Sequence, residues 1–145
     1  MSFVLDASVT MRWSFGDGSA PVLAYASRVL EALRDQPAVV PTVWGLEVAN
    51  VLSRAEAKGL TTEARSGAFL AMLERLDITV DGVSAAQALS GTLQLARRYD
   101  LSAYDASYLE LAIREALPLA SLDEGLVKAA RRAGVKRFDP RSGRS

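Results

Sequence analysis

The chain has 145 residues, half of them apolar, with 17 Lys plus Arg against 17 Asp plus Glu, and it contains neither cysteine nor histidine. That length suits one domain with a sizeable core, and the neutral total charge gives no electrostatic argument for a nucleic-acid partner. Without Cys and His there are no disulfides, thiol nucleophiles, Ser-His-Asp triad or ordinary zinc site, which leaves carboxylates for any acid, base or metal chemistry.

Phe3 to Leu5 form a short apolar, β-prone run stopped by Asp6, and Gly16, Asp17, Gly18 and Ser19 mark a loop. From Pro21, the residues Leu23, Ala26, Val29, Leu30 and Leu33 recur at helical spacing and stop before Pro37. Ala38 to Val40 read as a second strand ending at Pro41. Thr42 is the expected N-cap of a helix reaching about Lys58, ended by Gly59. Thr61 or Thr62 opens a helix through Leu76, and Ile78 to Val80 make a third strand. Ser84 with Gln87 predicts a capping box for a helix reaching Tyr99. Ser102 opens the next helix, Leu117 to Ala120 supply a fourth strand, and Ser121 is expected to cap a helix ending near Gly134. Val135 to Phe138 are the candidate fifth strand.

Short apolar strands alternating with helices predict an α/β fold whose parallel sheet is covered on both faces. One domain over residues 1–139 is expected, followed by a flexible basic tail, residues 140–145. The N-terminus, MSFVLDASV, lacks a basic segment, and Asp6 interrupts its apolar run, which argues against a signal peptide. No segment approaches the ~20 apolar residues of a membrane span, so no membrane association and a cytoplasmic location are expected. Beyond Asp123 seven basic residues face two acids, Glu124 and Asp139. Such a surplus suits either phosphate contacts or a solvated helix face.

Four carboxylates stand apart, because they are embedded in apolar sequence: Asp6 in VLDAS, Glu47 in WGLEVANVL, Asp105 in SAYDASYLELA and Asp123 in LASLDEGL. Burying unpaired carboxylates costs several kcal/mol or shifts their pKa, so a positive partner is expected. Asp6 and Asp123 follow strands one and four, where open parallel sheets place ligands. Each acid also has a local explanation. Asp105 can complete a capping box with Ser102, Asp123 can complement a helix dipole, and Asp6 can cap a turn. Glu47 can pair with Arg54 on the surface, although Val43, Leu46, Glu47, Asn50 and Val51 share one helix face.

In order and spacing along nearly the whole chain, VLDASV, LEVANVL, LSAYDASYLELA and LASLDEGLVKAA resemble the motifs of PIN-domain ribonucleases, in particular VapC-type toxins of bacterial toxin-antitoxin pairs. The resemblance implies a PIN-like, short five-stranded parallel sheet flanked by helices. It implies Asp6, Glu47, Asp105 and Asp123 as the acidic cluster for Mg²⁺ or Mn²⁺, with Asp6 and Asp105 at the most invariant positions. Ser121 stands where many relatives carry Thr. It further implies an RNA substrate, a cognate antitoxin that blocks the site, and a homodimer.

The residue types agree with that chemistry, since a hard cation prefers oxygen ligands and can activate a water for attack on phosphorus. Asp6 and Asp105 are expected to ligate directly, and Asp123 and Glu47 through water or a second ion. Ser8, Asn50 and Ser121 are expected to orient carboxylates by hydrogen bonds. Arg12 is the first candidate for a phosphate contact, with Arg97, Arg98, Arg131 and Arg132 behind it. Trp13, Phe15 and Trp44 either line an apolar groove suited to an antitoxin segment or pack in the core. The helices over residues 43–58 and 62–76 offer Leu46, Val48, Val51, Leu52, Phe69, Leu70, Met72 and Leu73 for partner contact. A dehalogenase-type phosphotransferase is set aside because Ser8 stands where its second Asp belongs, and a receiver domain because the tip of strand three offers no phosphoacceptor Asp with a downstream Lys in the expected places. A non-catalytic PIN-fold module that binds protein or RNA is the competing reading.

Overall fold

The sheet forms because three short runs without a helix-forming stripe, Phe3–Leu5 (β1), Ala38–Val40 (β2) and Ile78–Val80 (β3), are joined by a fourth, Leu119–Ala120 (β4), all parallel in the order β3-β2-β1-β4. This computed structural model describes residues 2–141. The helices are α1 (Ala7–Thr10), continued by a 3₁₀ turn at Met11–Trp13, then α2 (Ala20–Ala32), α3 (Val43–Ala57), α4 (Glu63–Glu74), α5 (Ser84–Gln87), α6 (Leu93–Tyr99), α7 (Ala103–Glu115) and α8 (Glu124–Arg132).

Both faces of the sheet are covered, and β1 shows how. Successive side chains of a strand point to opposite faces. Phe3 and Leu5 accordingly pack with Val9, Val29, Val40 and Phe138, whereas Val4 packs with Leu109, Leu111, Leu119 and Leu126. A third cluster, Ala7, Met11, Val48, Leu52, Phe69 and Leu73, ties α1 to the α3-α4 pair beside the sheet. The chain adds β2 and then β3 on one side of β1 and returns to place β4 on the other. Strand order therefore reverses between β1 and β4, the point beyond whose carboxyl ends open parallel sheets bind ligands.

Several expectations are corrected. The sheet has four strands among the described residues. In place of a strand over Val135 to Phe138 there is one parallel bridge, Arg137 beside Leu119. The Leu119 amide donates to the Lys136 carbonyl at 2.9 Å and the Phe138 amide to the Leu119 carbonyl at 2.8 Å. Pairing stops there because Phe138 turns inward to stack on Phe3, ring centroids 4.0 Å apart, and Pro140 has no amide to continue a ladder. Residues 140 and 141 are described; the rest of the expected basic tail, 142–145, lies outside the described residues.

Ser84 does not cap a helix. Its hydroxyl accepts the Thr42 amide at 3.0 Å and lies 2.7 Å from the Thr42 hydroxyl, fastening the β2-α3 turn to the start of α5, so neither side chain serves as a cap. The expected helix to Tyr99 is broken by a π-helical segment, Ala88–Thr92, between α5 and α6. Ser121 does not cap α8 either; Asp123 does. The short helix α1, absent from the reading of the chain, places the residues after Asp6 against α3.

Candidate active site

Asp6 is the last residue before α1, at the end of β1, and is only 3% exposed. The Ser8 hydroxyl donates to its Oδ2 at 2.6 Å and the Ser121 hydroxyl to the same oxygen at 2.8 Å. Each serine is itself fixed: Ser8 Oγ accepts the Leu122 amide and Ser121 Oγ the Asp123 amide, both at 3.0 Å. The loop after β4 is thus stitched to the end of β1 through two hydroxyls that converge on one carboxylate oxygen. Burial pushes the Asp6 carboxyl up, the two serines oppose that shift, and the charge of Asp123 adds to it.

Asp123 uses Oδ1 to accept the amides of Gly125 and Leu126 at 3.0 and 3.3 Å, which caps α8. Asp105 lies in the first turn of α7, where its amide donates to the Ser102 hydroxyl at 3.1 Å. The local explanation holds for Asp123, whereas at Asp105 it is the backbone amide and not the carboxyl that bonds Ser102, and capping exhausts neither acid. Burial raises the Asp105 carboxyl to about 7, reinforced by the charges of Asp123, Asp6 and Glu47 and by a carboxyl-carboxyl hydrogen bond with Asp123. Glu47, on α3, is raised by burial and by the charges of Asp6 and Asp123. Four acids from four separate segments share one mouth at the point where strand order reverses.

Glu47 does not pair with Arg54. The buried Tyr108 hydroxyl donates to its Oε1 at 2.6 Å. The same hydroxyl accepts the Ala7 amide at 3.4 Å, so Tyr108 joins α7, α3 and α1 beneath the carboxylates. Tyr108 was missed from the sequence. A signal was present, because Tyr108 stands three residues after Asp105 and so shares its helix face.

The remaining expected residues differ in their surroundings. The stripe holding Glu47 is not the buried face of α3: Val48, Leu52 and Ala55 are buried, whereas Leu46 is 71% exposed and Asn50 is exposed with no hydrogen bond among the described residues. Arg12 donates to the Asp17 carbonyl at 2.8 Å and to its carboxylate at 2.7 Å, an ion pair of the α1-α2 loop. Trp13 donates to the Ala26 carbonyl, Trp44 to the Thr10 hydroxyl, and both pack half-buried against the clusters, as does Phe15. Of the eight apolar residues assigned to a partner, Val48, Leu52, Phe69 and Leu73 are instead buried in the third cluster, which leaves Leu46, Val51 and Leu70 exposed.

The donors suit a hard cation, being all oxygen and electrostatically frustrated without a positive charge. Among the described residues, however, no three of these groups converge tightly enough to grip one ion together.

Residues 3–132 match the PIN domain family, and the chain belongs to that family. Three solved structures share the fold. PAE2754 from Pyrobaculum aerophilum has a TM-score of 0.62 at 20% identity, covering 89% of this chain and 79% of its own. VapBC2 from Rickettsia felis, described bound to a DNA fragment from its promoter, has a TM-score of 0.65 at 11% identity, covering 95% and 98%. FitAcB from Neisseria gonorrhoeae has a TM-score of 0.55 at 19% identity, covering 98% and 99%. A comparison with curated protein sequences finds no significant match.

Proposed function

We propose that this PIN domain is a metal-dependent endoribonuclease, the toxin of a toxin-antitoxin pair, working in the cytoplasm and held inactive by a cognate antitoxin. The observation that carries the reading is the convergence of Asp6, Glu47, Asp105 and Asp123 at the switch point, close enough for each of the first three to feel the charge of Asp123. The membership in a nuclease family and the shared fold with VapBC2 support the same direction. Among the described residues no helix is long and apolar enough to cross a membrane.

Bound Mg²⁺ or Mn²⁺ would supply an activated water and charge to offset that developing on a phosphodiester. Asp6 and Asp105 would hold the ion, with Asp123 and Glu47 acting through its waters or completing a second site. Ser8 and Ser121 keep Asp6 in one orientation, and Tyr108 does the same for Glu47. Homodimer formation would use the exposed Leu46, Val51 and Leu70.

The reading is tested by incubating purified protein with mixed RNA in Mg²⁺ or Mn²⁺, beside Asp6→Asn and Asp105→Asn variants shown by circular dichroism to be folded. Cleavage that both substitutions abolish is expected; cleavage surviving both would remove the metal mechanism. The absence of a tight three-carboxylate group favours one competitor, a non-catalytic PIN-fold module that binds a partner. That competitor predicts no cleavage in either metal.

A further inference from the structure

Tyr99, the last residue of α6, carries two guanidinium groups: Arg98 lies 5.7 Å and Arg132, from the end of α8, 5.6 Å from its ring centroid. The ring itself is anchored, half-buried beside Leu95 and Leu101 against the core under α7 and α8. Lys128, one turn before Arg132 on α8, adds a third cation to the same helix stripe. All three cations are exposed. None forms an ion pair among the described residues, although Asp100 follows Tyr99 directly and Glu124 precedes Lys128 by one turn.

Two like charges gathered on one aromatic ring, neither of them ion-paired among the described residues, repel each other, and a bound anion relieves that repulsion. Arginine suits a phosphate in particular, because its planar fork donates in pairs. The patch also has a fixed relation to the acidic mouth. From Asp123, the cap of α8, to Arg132 is nine residues, or about 13 Å at the helical rise. Tyr99 precedes Asp105 by six residues, which bounds their separation at roughly 20 Å. A strand laid across the mouth therefore reaches the patch within a few nucleotides.

The geometry points to the Arg98-Tyr99-Arg132 cluster as a backbone-binding platform for single-stranded RNA, gripping phosphates a few nucleotides from the bond to be cut. This rests on the ribonuclease reading and names how its substrate is held. It also offers a chain with no net charge and an acidic site a way to attract RNA, through unpaired cations about one short helix away from the mouth.

The test pairs binding with cleavage. Anisotropy of a labelled single-stranded RNA of about a dozen nucleotides, titrated at several salt concentrations, gives the number of phosphates neutralised. Loss of two phosphate contacts in an Arg98→Gln, Arg132→Gln variant is expected to lower the log-log salt slope by about 1.4 and weaken binding about tenfold. Arg98→Lys with Arg132→Lys is expected to restore most of the slope. In cleavage of the same RNA, KM should rise about tenfold with kcat unchanged, while cleavage of a dinucleotide, too short to reach the patch, should not change. An unaltered salt slope would overturn the platform and leave the patch to an acidic protein partner, as would an equal loss on the dinucleotide. If the wild-type protein cleaves nothing, the ribonuclease proposal fails, and the salt slope still decides the patch.

Discussion

The hydroxyl of Tyr108 donates to Glu47 Oε1 at 2.6 Å, and this bond is what holds a half-buried carboxylate of α3 against α7. It also holds the Glu47 pKa down against burial and against the charges of Asp6 and Asp123. Tyr108→Phe keeps the ring and removes the donor, along with an acceptor for the Ala7 amide. The variant should lose about 1–2 kcal/mol in urea unfolding. The Glu47 carboxyl should rise further, so the acidic limb of a cleavage pH profile moves to higher pH. An unmoved limb would show that Glu47 does not govern it.

Asp105 provides the clearest pH dependence. Its folded pKa, about 7, lies above the ordinary 3.8, so folding favours the protonated form. The stability this group contributes is complete below pH 4 and is lost as pH rises through 7. Metal-free wild-type protein should lose stability over that interval. Asp105→Asn should flatten the decline and, after allowance for solvent screening, exceed wild type by about 1–2 kcal/mol at pH 8. Added Mg²⁺ should raise the wild-type Tm at pH 8 by mass action and raise the variant's by less. A metal-free Asp105→Asn protein that melts below wild type at pH 8 would refute the crowding of these carboxylates.

Ser8 and Ser121 share one acceptor, Asp6 Oδ2. Removing either leaves the other in place and strands one backbone amide, that of Leu122 or of Asp123, but Ser121 is fully buried and Ser8 only half-buried. Ser121→Ala should therefore cost about 1–3 kcal/mol, more than Ser8→Ala. Because the two hydroxyls act on one oxygen, the double variant should lose more than the two singles added together, measured as a double-mutant cycle by chemical unfolding. Strict additivity would mean that the serines position Asp6 independently.

Legibility differed by residue for physical reasons. β1, β2 and β3 were readable because apolar runs of three are bounded by Asp6, by Pro37 and Pro41, and by charged residues. The four acids were readable because each interrupts an apolar context, which local sequence records. Hydroxyl partners were not: Ser84 and Ser121 have perfect capping sequences, but tertiary contacts, with Thr42 and Asp6, engage their hydroxyls instead. Nor does local sequence record that Arg12 pairs with Asp17 on the same loop. The face of α3 that carries Glu47 is not the one it buries, because packing against α1 and α4 turns Val48 and Leu52 inward.

Arg114 shows what such tertiary pairing can hide. It donates to both oxygens of Asp81, at 3.3 and 2.7 Å, and to both oxygens of Glu110, at 2.6 and 3.1 Å, joining the end of β3 to α7. The side chains of Asp81 and Glu110 are only 8% and 7% exposed. Replacing Arg114 with Met keeps the apolar stem but strands two buried carboxylates, so a loss of about 3–5 kcal/mol is expected in urea unfolding. The Asp81 carboxyl, held below its ordinary 3.8 by hydrogen bonds from Arg114, contributes stability that is present above that value and is lost as pH falls through its lowered pKa. The Arg114→Met penalty should accordingly shrink in acid as the stranded Asp81 takes up a proton. A penalty that stays constant from pH 7 to pH 3 would show that the pair contributes packing and not charge.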